Sequence, residues 1–547
     1  MRHVASRLVT AALVLSLSSA AALLAQQGTA PSDRPRLLVL IVADSLRADY
    51  FPMYGRHWTR GLRRIFDSGA TFQDARHPFG DTKTCAGHAS ISTGTVPATH
   101  GMIDNTWYER AQGRFVTCTE DPAAQSVGFG GARGVERHSG TSLLAPTLGD
   151  ELRRQSRTAP FVVSLSYKPR SAVGLAGAGG PNTLVVWQED NGTWATSTRI
   201  TTARWPDVDA FVRSHPIARA RGQLWNRLLP ATAYEYEDVA PGEPAPAAFP
   251  HLLDVPPKLG GAGVPFPTVW GASPLSDEFL NDLAITLVER LRLGRRSGTD
   301  LLAISYSALD MVTHAYGPRS HEAQDMLLRL DVLIERLLDV LDRRVGRDAY
   351  VLALSADHGM APLPEQAPAG AAGRVSAAAV AGAVNEALGT ALGRRAYVDA
   401  VGSTYLYFRP DVLDRVAGDA QARAVVEKAV LGVRGVERIY WAADLTATAP
   451  TPDSMLAALR RSYRIGRSGD VAFVPYPNWV VVSSGTTHGT PHDYDARVPI
   501  VFFGKGIKPG QYDSATTIDI APTLAALAGI TMPRAEGRVL QEILERD

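Results

Sequence analysis

Cysteine is almost absent: two residues in 547 are too few for a disulfide scaffold or a Cys-rich zinc module. No charge of either sign is in excess. Lys and Arg number 56 against 55 Asp and Glu, a net +1, so the balance points neither to a nucleic-acid partner nor to an acidic solvating tail. After residue 25 there is no unbroken apolar run of the ~18 residues that a membrane span needs. What is there is ordinary for a globular chain. Apolar residues make up 45% and charged residues 20%, which excludes disordered, collagen-like and coiled-coil classes. The length allows more than one core, roughly three to four domain-sized units.

Residues 1–25 read MRHVASRLVTAALVLSLSSAAALLA. Arg2 and Arg7 form a basic start, an Ala/Leu-rich run follows, and small residues lead to Ala25-Gln26. This is the pattern of a cleaved secretory signal, predicting a periplasmic or secreted protein with no membrane attachment after cleavage. An uncleaved anchor is the alternative, but a run of about 17 residues with serines inside is marginal for a span. Removing 1–25 shifts the net charge from +1 to −1. Export would place Cys85 and Cys118 in an oxidising compartment. They could pair there, or remain two free, buried small side chains.

Four apolar runs read as buried, parallel-type strands: 36–43 (RLLVLIVA), 301–307 (LLAISYS), 350–355 (YVLALS) and 498–503 (VPIVFF). Segments 279–293 and 326–345 are amphipathic helices, the second with Leu327, Leu330, Ile334, Leu337 and Leu341 at three-to-four spacing. Strands alternating with helices predict an α/β fold with a mostly parallel sheet. Residues 180–272, rich in Trp, Pro and Tyr, read as a loop-rich cap. Residues 366–475 read as a small α+β insertion, with helices at 375–388 and 420–431 and strands at 403–408 and 436–440. The expected organisation is a signal at 1–25, three stretches of one catalytic core at 26–179, 273–365 and 476–547, and the two insertions between them.

Three of the four strand runs lead into metal-type ligands. Asp44 follows the first, Asp310 and His314 (LDMVTHAYGP) follow the second, and the pair Asp357-His358 (SADHGM) follows the third. In parallel α/β sheets ligands bind beyond the carboxyl ends of strands, and carboxylates buried there need compensating charge. His488, in GTTHGTPHDYD, precedes the last run. Asp and neutral imidazole together suit Zn2+. Three Asp and three His are too many for one four-coordinate ion and fit two. Two such ions carry four positive charges against three carboxylates, and one added alkoxide brings the sum to zero. Thr84 is the candidate: it stands before Cys85-Ala86-Gly87-His88 at a Gly-containing turn opening an apolar helix, where hydroxyl and backbone N–H groups can meet an anion.

With these residues in this order the chain resembles the alkaline phosphatase superfamily, nearest to its phosphate-irrepressible, PafA-type branch and to the nucleotide pyrophosphatase/phosphodiesterase relatives. The matching stretches are IVADSLRADY, TKTCAGHASISTGTVPATHG, DNTWYER, SYKPRSA, DMVTHAYGP, ADHGM and GTTHGTPHDYDARVPIVFFGKGIKPG. The resemblance implies a three-layer α/β sandwich. It assigns Asp310, His314 and His488 to one Zn2+ and Asp44, Asp357, His358 and the Thr84 oxygen to the other. It implies in-line attack by Thr84, a phospho-threonine intermediate and its hydrolysis. Asn105 resembles a phosphate-binding Asn, and Lys168 and Arg170 resemble the Lys-x-Arg pair of the monoesterase branch. A monoester dianion offers oxygens that a Lys point charge and a forked Arg can hold, and a diester has one of them esterified. With Lys and Arg in that space, no third, Mg2+ site is expected. The implied substrates are small phosphate esters, with phosphodiesterase or nucleotide pyrophosphatase activity as the alternative.

The pattern departs from the family at Cys85-Ala86, where an aromatic or Ala and then Pro is common, at the AGAGGPN run after Arg170, and at His492, where Tyr is common. A sulfatase is excluded because Cys85 lacks the C/S-x-P-x-R setting. A phosphate-binding protein without catalysis is disfavoured by the complete ligand set. His77, His88 and His100 read as structural histidines, Asp81 as a turn residue, Asp49 as a cap and Asp331 as a helix-side polar group. Trp107 and Tyr108 read as core or as the site mouth. Oligomeric state has no signature in the sequence.

Overall fold

The computed structural model describes residues 34–201, 203–254 and 264–545; the signal segment 1–25 lies outside them. A ten-stranded sheet runs through the molecule in the order Gly510–Thr516, Ala70–Arg76, Val501–Gly504, Tyr350–Ser355, Leu37–Ala43, Asp300–Tyr306, Val162–Ser166, Thr183–Gln188, Trp194–Ser197 and Ser126–Gly128. The five strands from Tyr350–Ser355 to Thr183–Gln188 are mutually parallel. Leu37–Ala43 lies between Tyr350–Ser355 and Asp300–Tyr306, and its seven residues are all buried. Its alternate side chains feed two cores. Leu37, Val39 and Ile41 pack on one face with Leu327, Leu330, Ile334, Leu337 and Leu341 of the helix His321–Arg344. Leu38, Leu40 and Val42 pack on the other with Ala172 and Val173 of Pro169–Ala176 and with Ile520 and Leu524 of Ile520–Leu527. This period of two, with helices on both faces, is the expected three-layer α/β sandwich.

One expected parallel strand differs. The apolar run at 498–503 forms the strand Val501–Gly504, antiparallel to both Tyr350–Ser355 and Ala70–Arg76. Pro499 has no N–H to give to a ladder, and the bonds to the neighbouring strand fall on either side of it, from Val498 N–H to the Ala75 carbonyl and from Phe72 N–H to the Ile500 carbonyl. Apolar content alone did not carry strand direction.

The stretch read as a cap opens with Thr183–Gln188 and Trp194–Ser197, both part of the central sheet. The irregular segments follow, with a helix Pro206–Ser214 and a short pairing of Gln223–Trp225 with His251–Leu253. Between residues 377 and 475 a separate four-stranded sheet carries the helices Ala377–Leu392 and Ala420–Leu431 over a core of its own, including Val380, Val384, Leu388, Val426 and Phe473. Tyrosines join it to the main body in both directions: its Tyr405 donates to Asp81 Oδ2 at 2.8 Å, and Tyr108 of the main body donates to its Asp399 Oδ2 at 2.9 Å. Among the described residues no helix is long and apolar enough to cross a membrane.

Candidate active site

Four adjacent parallel strands end level with one another. Ala43 pairs with Tyr306, Val42 with Ser305 and Ser355, and Ser305 with Ser166. The residues just beyond these ends are Asp44, Asp310, Asp357-His358 and Lys168, so four sequence-distant segments meet at one sheet edge. Asp310 and His314 lie one turn apart on the helix Ala308–Tyr316, whose first N–H groups, from Ser307 and Ala308, donate to Asp277 Oδ1.

Two groups of ligand atoms result, each with its members within 4.8 Å of one another: Asp44, Asp357 and His358, and Asp310, His358 and His488. All five residues are buried. His358 belongs to both groups. His314 joins from the side, its Nε2 3.4 Å from Asp310 Oδ1 and its side chain 37% exposed. His314, expected from the sequence to share a group with Asp310 and His488, is the nearer of the two to Asp310, since His358 Nε2 lies 4.0 Å from the same oxygen.

The three histidines share one anchoring pattern. His314 Nδ1 donates to the Thr486 carbonyl at 2.8 Å, His358 Nδ1 to the Gly359 carbonyl at 2.8 Å, and His488 Nδ1 to the Thr82 carbonyl at 2.7 Å. A carbonyl can only accept, so each Nδ1 carries the proton and each Nε2 presents a lone pair, the usual second-shell arrangement of a metal-binding imidazole. Burial holds His358 down to about 4 against the pull of Asp357, and burial with His358 and Lys83 holds His488 well below the usual range; both rings are neutral near pH 7. On the carboxylates, Asp44 Oδ1, Asp310 Oδ1 and Asp357 Oδ2 are buried and have no hydrogen-bond partner among the described residues. Buried carboxylate oxygens seldom go unpaired. Burial, then Asp310 and Asp357, push Asp44 well above the usual carboxylate range. Three orphaned oxygens facing neutral imidazole nitrogens fit divalent cations, and the Asp/His composition suits zinc.

Thr84 opens the buried helix Thr84–Thr93, and its Oγ1 lies 3.4 Å from His358 Nε2. Gly87 lets this helix pass the strand end: a Cβ there would stand 2.1 Å from the Asp357 carbonyl oxygen. The next residue, Cys85, is disulfide-bonded to Cys118, with Cα atoms 6.6 Å apart. Its N–H donates to Asn105 Oδ1 at 2.9 Å, which ties the Asn105 amide to the helix start. Lys168 is buried and bridges the two ligand groups, with Nζ 2.6 Å from Asp44 Oδ2 and 2.5 Å from Asp310 Oδ2. Arg170 stands in the first turn of Pro169–Ala176. Its Nε is buried and without a partner among the described residues, and it makes no bond to the ligands or to Asn105.

The residues read as structural are so placed. His88 uses both nitrogens, Nδ1 donating to the Thr84 carbonyl at 2.9 Å and Nε2 bonding Ser305 Oγ at 2.8 Å. His100 bonds Ser90 Oγ, and His77 bonds Thr517 Oγ1. Asp331 accepts from the N–H groups of Thr59, Arg60, Leu62 and Arg63, so it caps a neighbouring helix rather than serving its own. Asp49 stands at a helix start, but its carboxylate pairs with Arg47. Trp107 and Tyr108 are core residues. Asp81 departs from the turn reading: it is buried under Tyr405. Two buried residues of the site went unnoticed in the sequence, Lys83 and Asp277. Neither sits in a ligand-type motif, and their partners are supplied only by folding.

The family model for type I phosphodiesterase / nucleotide pyrophosphatase matches residues 38–495. The chain is 30% identical to a protein of Myroides odoratus named calcium-transporting ATPase, covering 94% of this chain and 95% of that one. It is 29% identical to the alkaline phosphatase PafA of Elizabethkingia meningoseptica, covering 96% and 97%. A crystal structure of alkaline phosphatase PafA superposes with a TM-score of 0.83 at 27% identity, over 94% of this chain and 99% of that one. A PafA variant altered at a threonine, an asparagine, a lysine and an arginine superposes with a TM-score of 0.82. The central sheet, the level strand ends and the match over most of the chain lead to one assignment: the chain belongs to the type I phosphodiesterase / nucleotide pyrophosphatase family and has the alkaline-phosphatase fold.

Proposed function

We propose that this chain is an exported, zinc-dependent phosphomonoesterase with Thr84 as its nucleophile. The observation that carries the reading is the convergence on one sheet edge of two ligand groups, the Thr84 hydroxyl and a buried Lys168. Asp44, Asp357 and His358 would hold one divalent ion, and Asp310, His314 and His488 the other, with His358 close to both. Bound there, such ions supply Lewis-acid chemistry, favouring the ionised hydroxyl and neutralising charge on the departing oxygen.

The chain's own residues do the rest. Thr84 Oγ1, at a helix start where unsatisfied N–H groups favour an anion, attacks phosphorus in line. A P–Oγ bond forms, the bond to the ester oxygen breaks, and the alcohol leaves. Water then attacks the phospho-threonine, restores Thr84 and releases inorganic phosphate. Asn105 offers its amide NH2, since its Oδ1 is engaged by Cys85. Lys168 and Arg170 supply the two positive charges that a monoester dianion matches and a diester does not. The resemblance to alkaline phosphatase PafA supports this branch; the family description favours the diesterase alternative. The Cys85–Cys118 bond supports export, since such bonds persist in oxidising compartments.

The test is turnover of phenyl phosphate against the corresponding diester, with added Zn2+ and with EDTA, in the wild type and in Thr84→Ala. Hydrolysis of the monoester that EDTA abolishes, Zn2+ restores and Thr84→Ala lacks is expected. Faster turnover of the diester would establish the alternative.

A further inference from the structure

The residue directly before Thr84 is a lysine with no part in the chemistry above. Lys83 is 9% exposed, a rare setting for an ammonium. Its Nζ donates to the main-chain carbonyl of His488 at 2.7 Å. Two further bonds join the same segments: His488 Nδ1 donates to the Thr82 carbonyl at 2.7 Å, and Thr82 Oγ1 donates to the Thr490 carbonyl at 3.0 Å. The lysine stem passes over Gly489. That residue has φ of +110°, and a Cβ there would lie 2.1 Å from Lys83 Cε, so only glycine admits both the backbone and the crossing side chain. Three carboxylates, the buried Asp81 and Asp495 and the half-buried Asp104, feel the ammonium's field, yet among the described residues none is ion-paired to it. Among the described residues the ammonium's hydrogen-bond partner is the carbonyl of a candidate ligand.

We infer that Lys83 is a positioning residue: it fastens the turn before Thr84 to the backbone of His488 and so sets the hydroxyl against the ligand group to which His488 belongs. The inference rests on the reading of Thr84 as nucleophile and His488 as ligand. In-line attack tolerates little displacement, and an error of about 1 Å can cost a hundredfold in rate. The groups that grip the phosphate, Asn105, Lys168 and Arg170, are on other segments. Loss of the clasp therefore acts on kcat and on the retention of metal, and leaves KM in place.

Lys83→Met keeps the apolar stem and removes the ammonium. With phenyl phosphate and Zn2+, its kcat is expected to fall about tenfold or more while KM stays within about threefold. Metal analysis after brief EDTA treatment is expected to find one ion lost faster than from the wild type. Lys83→Arg, which restores a cationic donor, is expected to recover part of the rate. A kcat within about twofold of wild type, or a raised KM with kcat kept, overturns the inference; the second result would make Lys83 a substrate contact. If Lys83→Met does not fold, Thr82→Val removes a smaller part of the same clasp. A lower kcat at constant KM supports the inference, and an unchanged kcat overturns it. A wild type that hydrolyses no phosphate ester brings down the reading of Thr84 and this inference with it. An active wild type beside an equally active Lys83→Met brings down the inference alone.

Discussion

The ammonium of Lys168 lies 2.5 Å from Asp310 Oδ2, two residues that follow neighbouring strands of the sheet. The same nitrogen reaches Asp44, so one lysine spans both ligand groups. Burial alone would discharge it, but Asp310 and Asp44 outweigh that and raise Lys168 above the ordinary lysine value. It stays cationic at working pH, as phosphate binding requires. The double variant Lys168→Ala with Arg170→Ala is expected to lose about a hundredfold or more of monoester turnover while keeping or gaining diester turnover. Comparing kcat/KM for the two phenyl esters checks it; monoester turnover untouched by the double substitution would assign the chain to the other branch.

His358 is the member common to both ligand groups, whereas His314 belongs to neither, standing beside Asp310 and His488 and partly exposed. The two histidines should therefore differ in what their loss removes. His358→Ala is expected to leave almost no bound zinc, and His314→Ala to weaken one ion only. Metal content per chain after dialysis separates the two; equal losses would show that the groups are not shared through His358.

The Cys85–Cys118 bond closes a loop with a sequence separation of 33, next to the proposed nucleophile. A link over such a loop stabilises by about 3–4 kcal/mol in the chain-entropy model. Cys118→Ala is expected to lose stability of that order in denaturant unfolding, with a fall in kcat because Cys85 also orients Asn105. Equal stability with and without reductant in the wild type would contradict this.

Asp277 is fully buried, and burial pushes it up to about 7, against the N–H groups of Ala308 and Ser307. Its folded value lies above its unfolded value. The stability it contributes is therefore complete at low pH, below the unfolded carboxylate value near 4, and is lost as pH rises toward and through 7. Asp277→Asn keeps an oxygen for the same N–H groups and cannot ionise. Its melting temperature relative to wild type is expected to rise between pH 5 and pH 8 by a few degrees. Parallel melting curves across that range would refute the assignment.

Much of this was legible along the chain. Apolar runs of strand length mark Leu37–Ala43, Asp300–Tyr306 and Tyr350–Ser355 because a strand covered on both faces has no polar face to show. The ligand residues stand next to those runs because the site lies at the strand ends. Helix Ala420–Leu431 could be read to its bounds, since its apolar spacing and its Asp419 cap are local signals. The direction of Val501–Gly504 could not, because apolar content says nothing about which way a strand runs. Nor could the sheet membership of Thr183–Gln188, whose partner is Val162–Ser166, across a helix.

The sequence by itself determined the kinds of atoms at the site, their order, and the strands that lead to them, since composition, periodicity and adjacency are properties of a line. Only the tertiary structure decided which nitrogen of each histidine points inward, that His358 belongs to two groups, that Cys85 meets Cys118, and that Lys83 reaches His488 across 405 positions. Those relations depend on distances between segments far apart in the chain. Such distances exist only once the two cores have packed and brought the strand ends level.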